Sequence, residues 1–191
     1  MESPPVKPHF YQFVLLWVWA TLSGFLLSLL FVEVGEKPDV SILEAIIGGL
    51  AIASPQSCIL KQYVSSCQWV LSTLLAWALI SAVGIGAIGW IVPTTDVISL
   101  RLLYGSISGG IGGLAIGLAQ WGLAISPSVP SAWQWIFISA ISWAIAVPTG
   151  AVIGGYLYHL TDLFLGEVVG LAITWFLVAI LTGVSAYKLL K

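Results

Sequence analysis

Two glutamines, Gln56 and Gln120, stand inside apolar stretches of this sequence. An amide in such surroundings either faces a ligand or ties one segment to the next. The two lie 64 residues apart in matching contexts, and Trp77 and Trp143 recur at a displacement of 66. As a set these four residues would line a shared ligand cavity, amides for polarity and indoles for walls. The alternative, and the preferred reading, is a pair of interhelical hydrogen bonds worth roughly 0.6–2 kcal/mol each. Pro55 and Pro148 interrupt apolar runs, where proline removes a backbone bond and kinks a helix. His159, Asp162 and Glu167 have metal-ligating chemistry. Their spacing supplies no proper third ligand, so they read as a polar connection. Glu33, Glu36, Asp39 and Glu44 lack the calcium-loop pattern and read as a solvated cap.

Hydrolytic chemistry finds no support. There is no Gly-x-Ser-x-Gly, no His-Glu-x-x-His and no paired intramembrane aspartate. No charge falls at the middle of an apolar run, which argues against a proton-coupled carrier. Cys58 and Cys67 flank one connection and read as reduced structural thiols. His9 and His159 stand near the ends of apolar runs, where pigment ligation is only a minor variant. The expectation is therefore no catalytic residue, no metal and no cofactor.

The elements that position these residues follow from composition. Hydrophobic residues make up 59% of the 191, and charged residues 7%, against about 25% in soluble domains. Six runs are close to the 20 or so residues needed to cross a bilayer: 10–32, 41–60, 69–92, 100–125, 133–160 and 164–190. The predicted fold is all-α and membrane-integral, a single domain over 1–191 with a tail at 1–9. Short connections pair the spans into hairpins over about 10–60, 66–125 and 131–190.

Self-comparison strengthens the hairpin reading. Gly48-Gly49-Leu50-Ala51-Ile52 recurs as Gly112-Gly113-Leu114-Ala115-Ile116, and Gly170-Leu171-Ala172-Ile173 offers a third partial copy. The spacing predicts three tandem hairpins running parallel, Trp-Ala on odd spans and Gly-Leu-Ala-Ile on even ones. Gly105, Gly109, Gly113 and Gly117 fall four apart on the fourth span, and positions four apart share a helix face. Gly49 on the second span, and Gly166 and Gly170 on the sixth, are their counterparts. Such faces allow close backbone approach in lipid, so the even helices are expected to pack centrally. Trp69, Trp90, Trp121, Trp133 and Trp135 fall near span ends and read as interfacial; Trp17, Trp19, Trp77, Trp143 and Trp175 read as buried.

Six spans put both termini on one side with Lys7, Lys61, Lys188 and Lys191, against Lys37 and Arg101 on the other. The basic majority places both termini in the cytoplasm. A net charge of −2 without a basic run excludes nucleic acid as a partner.

The Gly-rich span ending Gly-Leu-Ala-Gln-Trp, followed by a Gln-Trp…Trp-Ala span, resembles a loose group of uncharacterised multi-spanning proteins common in cyanobacteria. The likeness covers roughly 46–155 and implies a thylakoid or bacterial plasma-membrane location. The functional expectation is a non-enzymatic accessory, assembly or scaffold subunit, in contact with lipid and with other membrane subunits. The alternative is a small-solute carrier or channel component with its cavity near Gln56 and Gln120.

Overall fold

The computed structural model describes residues 9–35, 39–125 and 129–190. Residues 1–8 of the tail, the charges Lys7, Lys37 and Lys191 used above for orientation, and Glu36 of the expected cap lie outside the described residues. Among the described residues the chain forms six α-helices: α1 (Phe10–Ser28), α2 (Ile42–Leu60), α3 (Ser66–Ala82), α4 (Ile98–Leu123), α5 (Gln134–Thr161) and α6 (Leu165–Leu190). Five are long and apolar enough to cross a membrane; α3, at 17 residues, is a shorter apolar helix. Leucines, isoleucines and aromatics such as Leu26, Leu103, Ile107, Phe137 and Ile141 lie exposed on outward faces. A chain that turns such surface outward suits the apolar interior of a membrane, with lipid as its solvent.

Local chemistry sets the helix ends. Ser41 caps α2 reciprocally, its Oγ accepting from the Glu44 N–H while its own N–H donates to the Glu44 carboxylate at 2.8 Å. At α3 the cap runs one way only, Ser65 Oγ accepting from the Gln68 N–H. Asp162, in the left-handed region, stops α5 and turns the chain into α6.

The third apolar run departs from expectation. Its helix ends at Ala82, not at Val92. Gly84 and Gly86 adopt φ of +79° and +88°, conformations that end a helix and that glycine takes without a steric penalty. The chain then re-enters the bundle: Trp90 is fully buried, its indole donating to Ser28 Oγ at 2.7 Å, and Val92 N–H bonds to Gly35 O. Apolar character alone could not separate a continuous span from a helix followed by this inserted segment.

Each helix packs against its neighbours in sequence, and α1 closes onto α6. The start of α1 and the last turns of α6 meet at one end, where the Phe10 and Tyr187 rings are 5.2 Å apart. The backbones of α2, α4 and α6 do not approach one another, which corrects the expectation that the even helices pack centrally. Indoles occupy that space instead: Trp17, Trp69 and Trp135 toward the terminal end, Trp77, Trp143 and Trp175 farther along, and Trp90 beside them. Trp69, Trp90 and Trp135 are thus buried within the bundle, not interfacial, while Trp19 is exposed.

The glycines of α4 meet α5. A Cβ added at Gly105 would fall 2.9 Å from the backbone of Pro148, at Gly113 2.7 Å from Ser139 O, and at Gly117 2.8 Å from Ile136 Cα; one at Gly109 would collide with Trp143 O. Gly166 and Gly170 of α6 press on α5 from its other side, at Tyr158 and at Gly150 and Gly154. Gly49 instead faces the Trp77 ring. Gly170 therefore meets its own hairpin partner, whereas Gly49 and Gly113 face the helix that follows theirs, so Gly170-Leu171-Ala172-Ile173 is not placed like the other two copies. Both prolines sit within helices that continue through them, and Pro148 packs on Gly105.

Gly113→Leu is expected to abolish the cooperative near-UV circular dichroism melt and monodisperse elution in detergent. Gly122, with nothing within 4 Å of an added Cβ, should accept alanine with a gain of at most about 1 kcal/mol. A wild-type melt for Gly113→Leu would show that α4 and α5 do not meet there.

Candidate functional site

The side chains at the bundle axis are held by one bonding scheme. Thr73 is one turn beyond Trp69 on α3 and donates to the Trp69 carbonyl at 2.9 Å, a common outlet for a hydroxyl inside a helix. Its oxygen remains an acceptor, and Gln120 Nε2 of α4 donates to it at 3.0 Å. The carbonyl end of the same amide accepts from the Trp135 indole of α5 at 2.8 Å. Gln120 thus bridges three successive helices.

The scheme recurs around Gln56. Thr21 donates to the Trp17 carbonyl at 2.9 Å, Gln56 Nε2 donates to Thr21 Oγ1 at 2.9 Å, and the Trp69 indole donates to Gln56 Oε1 at 3.4 Å. A related contact closes the circle: the Trp17 indole of α1 donates to Thr182 Oγ1 of α6 at 3.1 Å. Each of Trp17, Trp69 and Trp135 therefore ties one odd helix to the even helix beside it. Thr21, Thr73 and Thr182 were not singled out from the sequence, and Trp17, Trp69 and Trp135 were read only as buried or interfacial rings, not as bonding partners. The signal that could have found them is the Trp-x-x-x-Thr spacing shared by Trp17–Thr21 and Trp69–Thr73.

Gln56, Gln120, Trp77 and Trp143 do line a single cavity, together with Thr182 and Trp175. Its volume is about 40 Å³, room for only a few water molecules. Both amides are spent on protein partners. Among the described residues the indole nitrogens of Trp77 and Trp143 donate no hydrogen bond to protein.

A second polar assembly lies where α4 and α6 begin. Arg101 is 4% exposed and Glu167 6%, and Nη1 of the guanidinium meets the carboxylate at 2.8 Å. Nη1 also donates to Ala151 O at 2.8 Å, and Nε to Thr95 O at 2.6 Å. Two glycines make the room. An added Cβ at Gly155 would lie 2.5 Å from Nη1, and one at Gly154 would lie 2.8 Å from the carboxylate. From the sequence Arg101 served only as a charge on one membrane side and Glu167 as part of a polar connection; the helix starts carry both into the bundle. Burying two charges together is tolerable because each neutralises the other and both are hydrogen-bonded.

This arrangement separates the expected His159, Asp162 and Glu167 group. Glu167 goes to Arg101, Asp162 ends α5, and His159 Nε2 lies 3.4 Å from Asp96. Among the described residues no cluster of three or more His, Cys, Asp or Glu side chains could hold a metal ion. Cys58 and Cys67 are exposed free thiols.

Comparison with known proteins matches no family model, no curated protein and no solved structure.

Two measurements probe these sites. Gln120→Leu, which strands the Trp135 indole and removes a donor to Thr73, should cost about 1–2 kcal/mol in a detergent unfolding titration. Adding Trp135→Phe should then cost less than it does in the wild type. Replacing one partner of the buried ion pair, by Arg101→Met or Glu167→Gln, should cost about 3–5 kcal/mol, and Arg101→Met with Glu167→Leu less than the sum.

Proposed function

We propose that this chain is a non-enzymatic membrane protein that acts by helix association, as an accessory, assembly or scaffold subunit of a larger membrane complex. The observation that carries this reading is the filled axis. Indoles and the inserted segment leave about 40 Å³ at the centre, against the 300 Å³ or more typical of a ligand pocket. Side chains committed to one another make a rigid body suited to presenting its outer surface. The twofold recurrence of the Trp–Gln–Thr bonding, around Gln56 and Gln120, supports repeated hairpins over the first four helices and the start of α5. The lysine majority supports cytoplasmic termini, and the resemblance noted above supports a plasma-membrane or thylakoid location.

A second reading, a small-solute carrier or channel component, is favoured by one observation. Gln56, Gln120, Trp77 and Trp143 converge on one cavity, two of them with unspent N–H donors.

Gentle purification, followed by identification of what co-elutes, tests the two readings. The first expects a polypeptide in near-stoichiometric amount, retained when Gln120 is replaced by leucine. The second expects solute flux in reconstituted vesicles that Gln120→Leu abolishes, and that result would displace the first.

A further inference from the structure

Two clefts flank Arg101. One, of about 300 Å³, lies between the start of α4 and the second half of α5, with Ile98, Val152 and Ile153 as apolar lining and Asp96 and His159 as polar lining. The other, of about 240 Å³, lies between the inserted segment and α4, with Ile88, Pro93 and Tyr104 in its wall. Arg101 lines both. Together they reach the volume of an ordinary ligand site, and they sit beside outward residues, Ile98, Tyr104 and Tyr156, that are exposed where lipid would lie.

The guanidinium is not used up by the protein. Nε and Nη1 donate to Thr95 O, Ala151 O and Glu167. Nη2 makes no hydrogen bond among the described residues, and Asp96 Oδ1 lies 3.7 Å from it. Nη2 is not among the fully enclosed atoms, so its donor pair stays available to an acceptor entering the cleft. Arginine suits phosphate oxygens through its planar fork. Asp96 is largely exposed and leaves a carboxylate beside that donor. Glu167 already neutralises Arg101, so Asp96, which lies 3.7 Å from Nη2 and 3.4 Å from His159 Nε2, presents a further carboxylate at the mouth of the cleft. A purely anionic head would be repelled there, whereas a head with both a phosphate and an amine matches both groups.

We propose that this cleft binds one phospholipid bearing a phosphate and a primary amine, with phosphate on Arg101 Nη2, ammonium on Asp96 and an acyl chain along Ile98, Val152 and Ile153. The site is independent of whether the protein is a scaffold or a carrier. Its test is native mass spectrometry of the delipidated full chain in detergent, titrated separately with phosphatidylethanolamine, phosphatidylglycerol, phosphatidylcholine and inorganic phosphate. The expected result is one retained phosphatidylethanolamine per chain, preferred over phosphatidylglycerol and phosphatidylcholine by roughly fivefold, the scale of a single exposed ion pair. Ile153→Trp fills the apolar part of the cleft without touching the ion pair and should remove the adduct at an unchanged melting temperature. Ile98→Trp serves the same purpose at the mouth if the first variant fails to fold. Asp96→Asn should erase the preference over phosphatidylglycerol. Equal binding of the three lipids, an adduct retained by the filled variant, or binding of inorganic phosphate without lipid would each overturn the proposal.

Discussion

A polar group surrounded by hydrocarbon has no water to turn to, and that constraint organises this bundle. A buried indole is a large apolar body with one N–H that must find an acceptor. Five buried indoles find theirs on another part of the chain: Trp17 on Thr182, Trp69 on Gln56, Trp90 on Ser28, Trp135 on Gln120, and Trp175 on the carbonyl of Gly89. Three of these bonds run between helices and two tie the inserted segment to α1 and α6, so satisfying the indoles also sets what stands beside what. Among the described residues a single fully buried side-chain polar atom, Ser81 Oγ, is left without a partner.

Packing follows from the same ring. Lipid tails are as apolar as leucine, so helices in a membrane gain little by hiding leucine from lipid and much by fitting closely. The chain achieves that fit in two ways. Between α4, α5 and α6, glycine rows let backbones touch, as at Gly113 against Ser139 and Gly170 against Gly154. Elsewhere a glycine accepts an indole, as at Gly49 against Trp77, Gly48 against Trp90 and Gly183 against Trp17. Close backbone contact thus dominates around α5 and recurs between α1 and α2, where an added Cβ at Gly24 would lie 2.6 Å from Ala51 O, while aromatic rings fill much of the remaining contact.

The Arg101–Glu167 pair occupies the region where close packing gives way to the end of the bundle. Gly154 and Gly155 supply the space, and the loop before α4 supplies Thr95 O. The pair joins α4 to α6 across α5, so three helices are tied at that end by charge, while indole bonds tie the helices at the other. The inserted segment at 83–92 fills the axis between these two sets of ties. A six-helix ring with its axis filled in this way has little freedom to open around a solute, and the functional reading rests on that rigidity.

Much of the fold was legible in the sequence. Composition and run length determine an all-α membrane bundle, because hydrocarbon admits few other solutions for the backbone. The four-residue glycine spacing marked a helix face without side chains, and the matched positions of Gln56 and Gln120 marked similar contexts in two apolar runs. Tertiary structure decided the partners. Periodicity shows that the glycines share a face but cannot name α5 as what lies against it. Hydrophobicity could not show that the third run breaks at Gly84 and re-enters, since the apolar residues after the break are as buried as a span would be. Nor could it show that Arg101 and Glu167, 66 residues apart in the chain, neutralise each other inside the bundle. Local sequence carries the needs of each segment; only the assembled ring decides which distant group meets them.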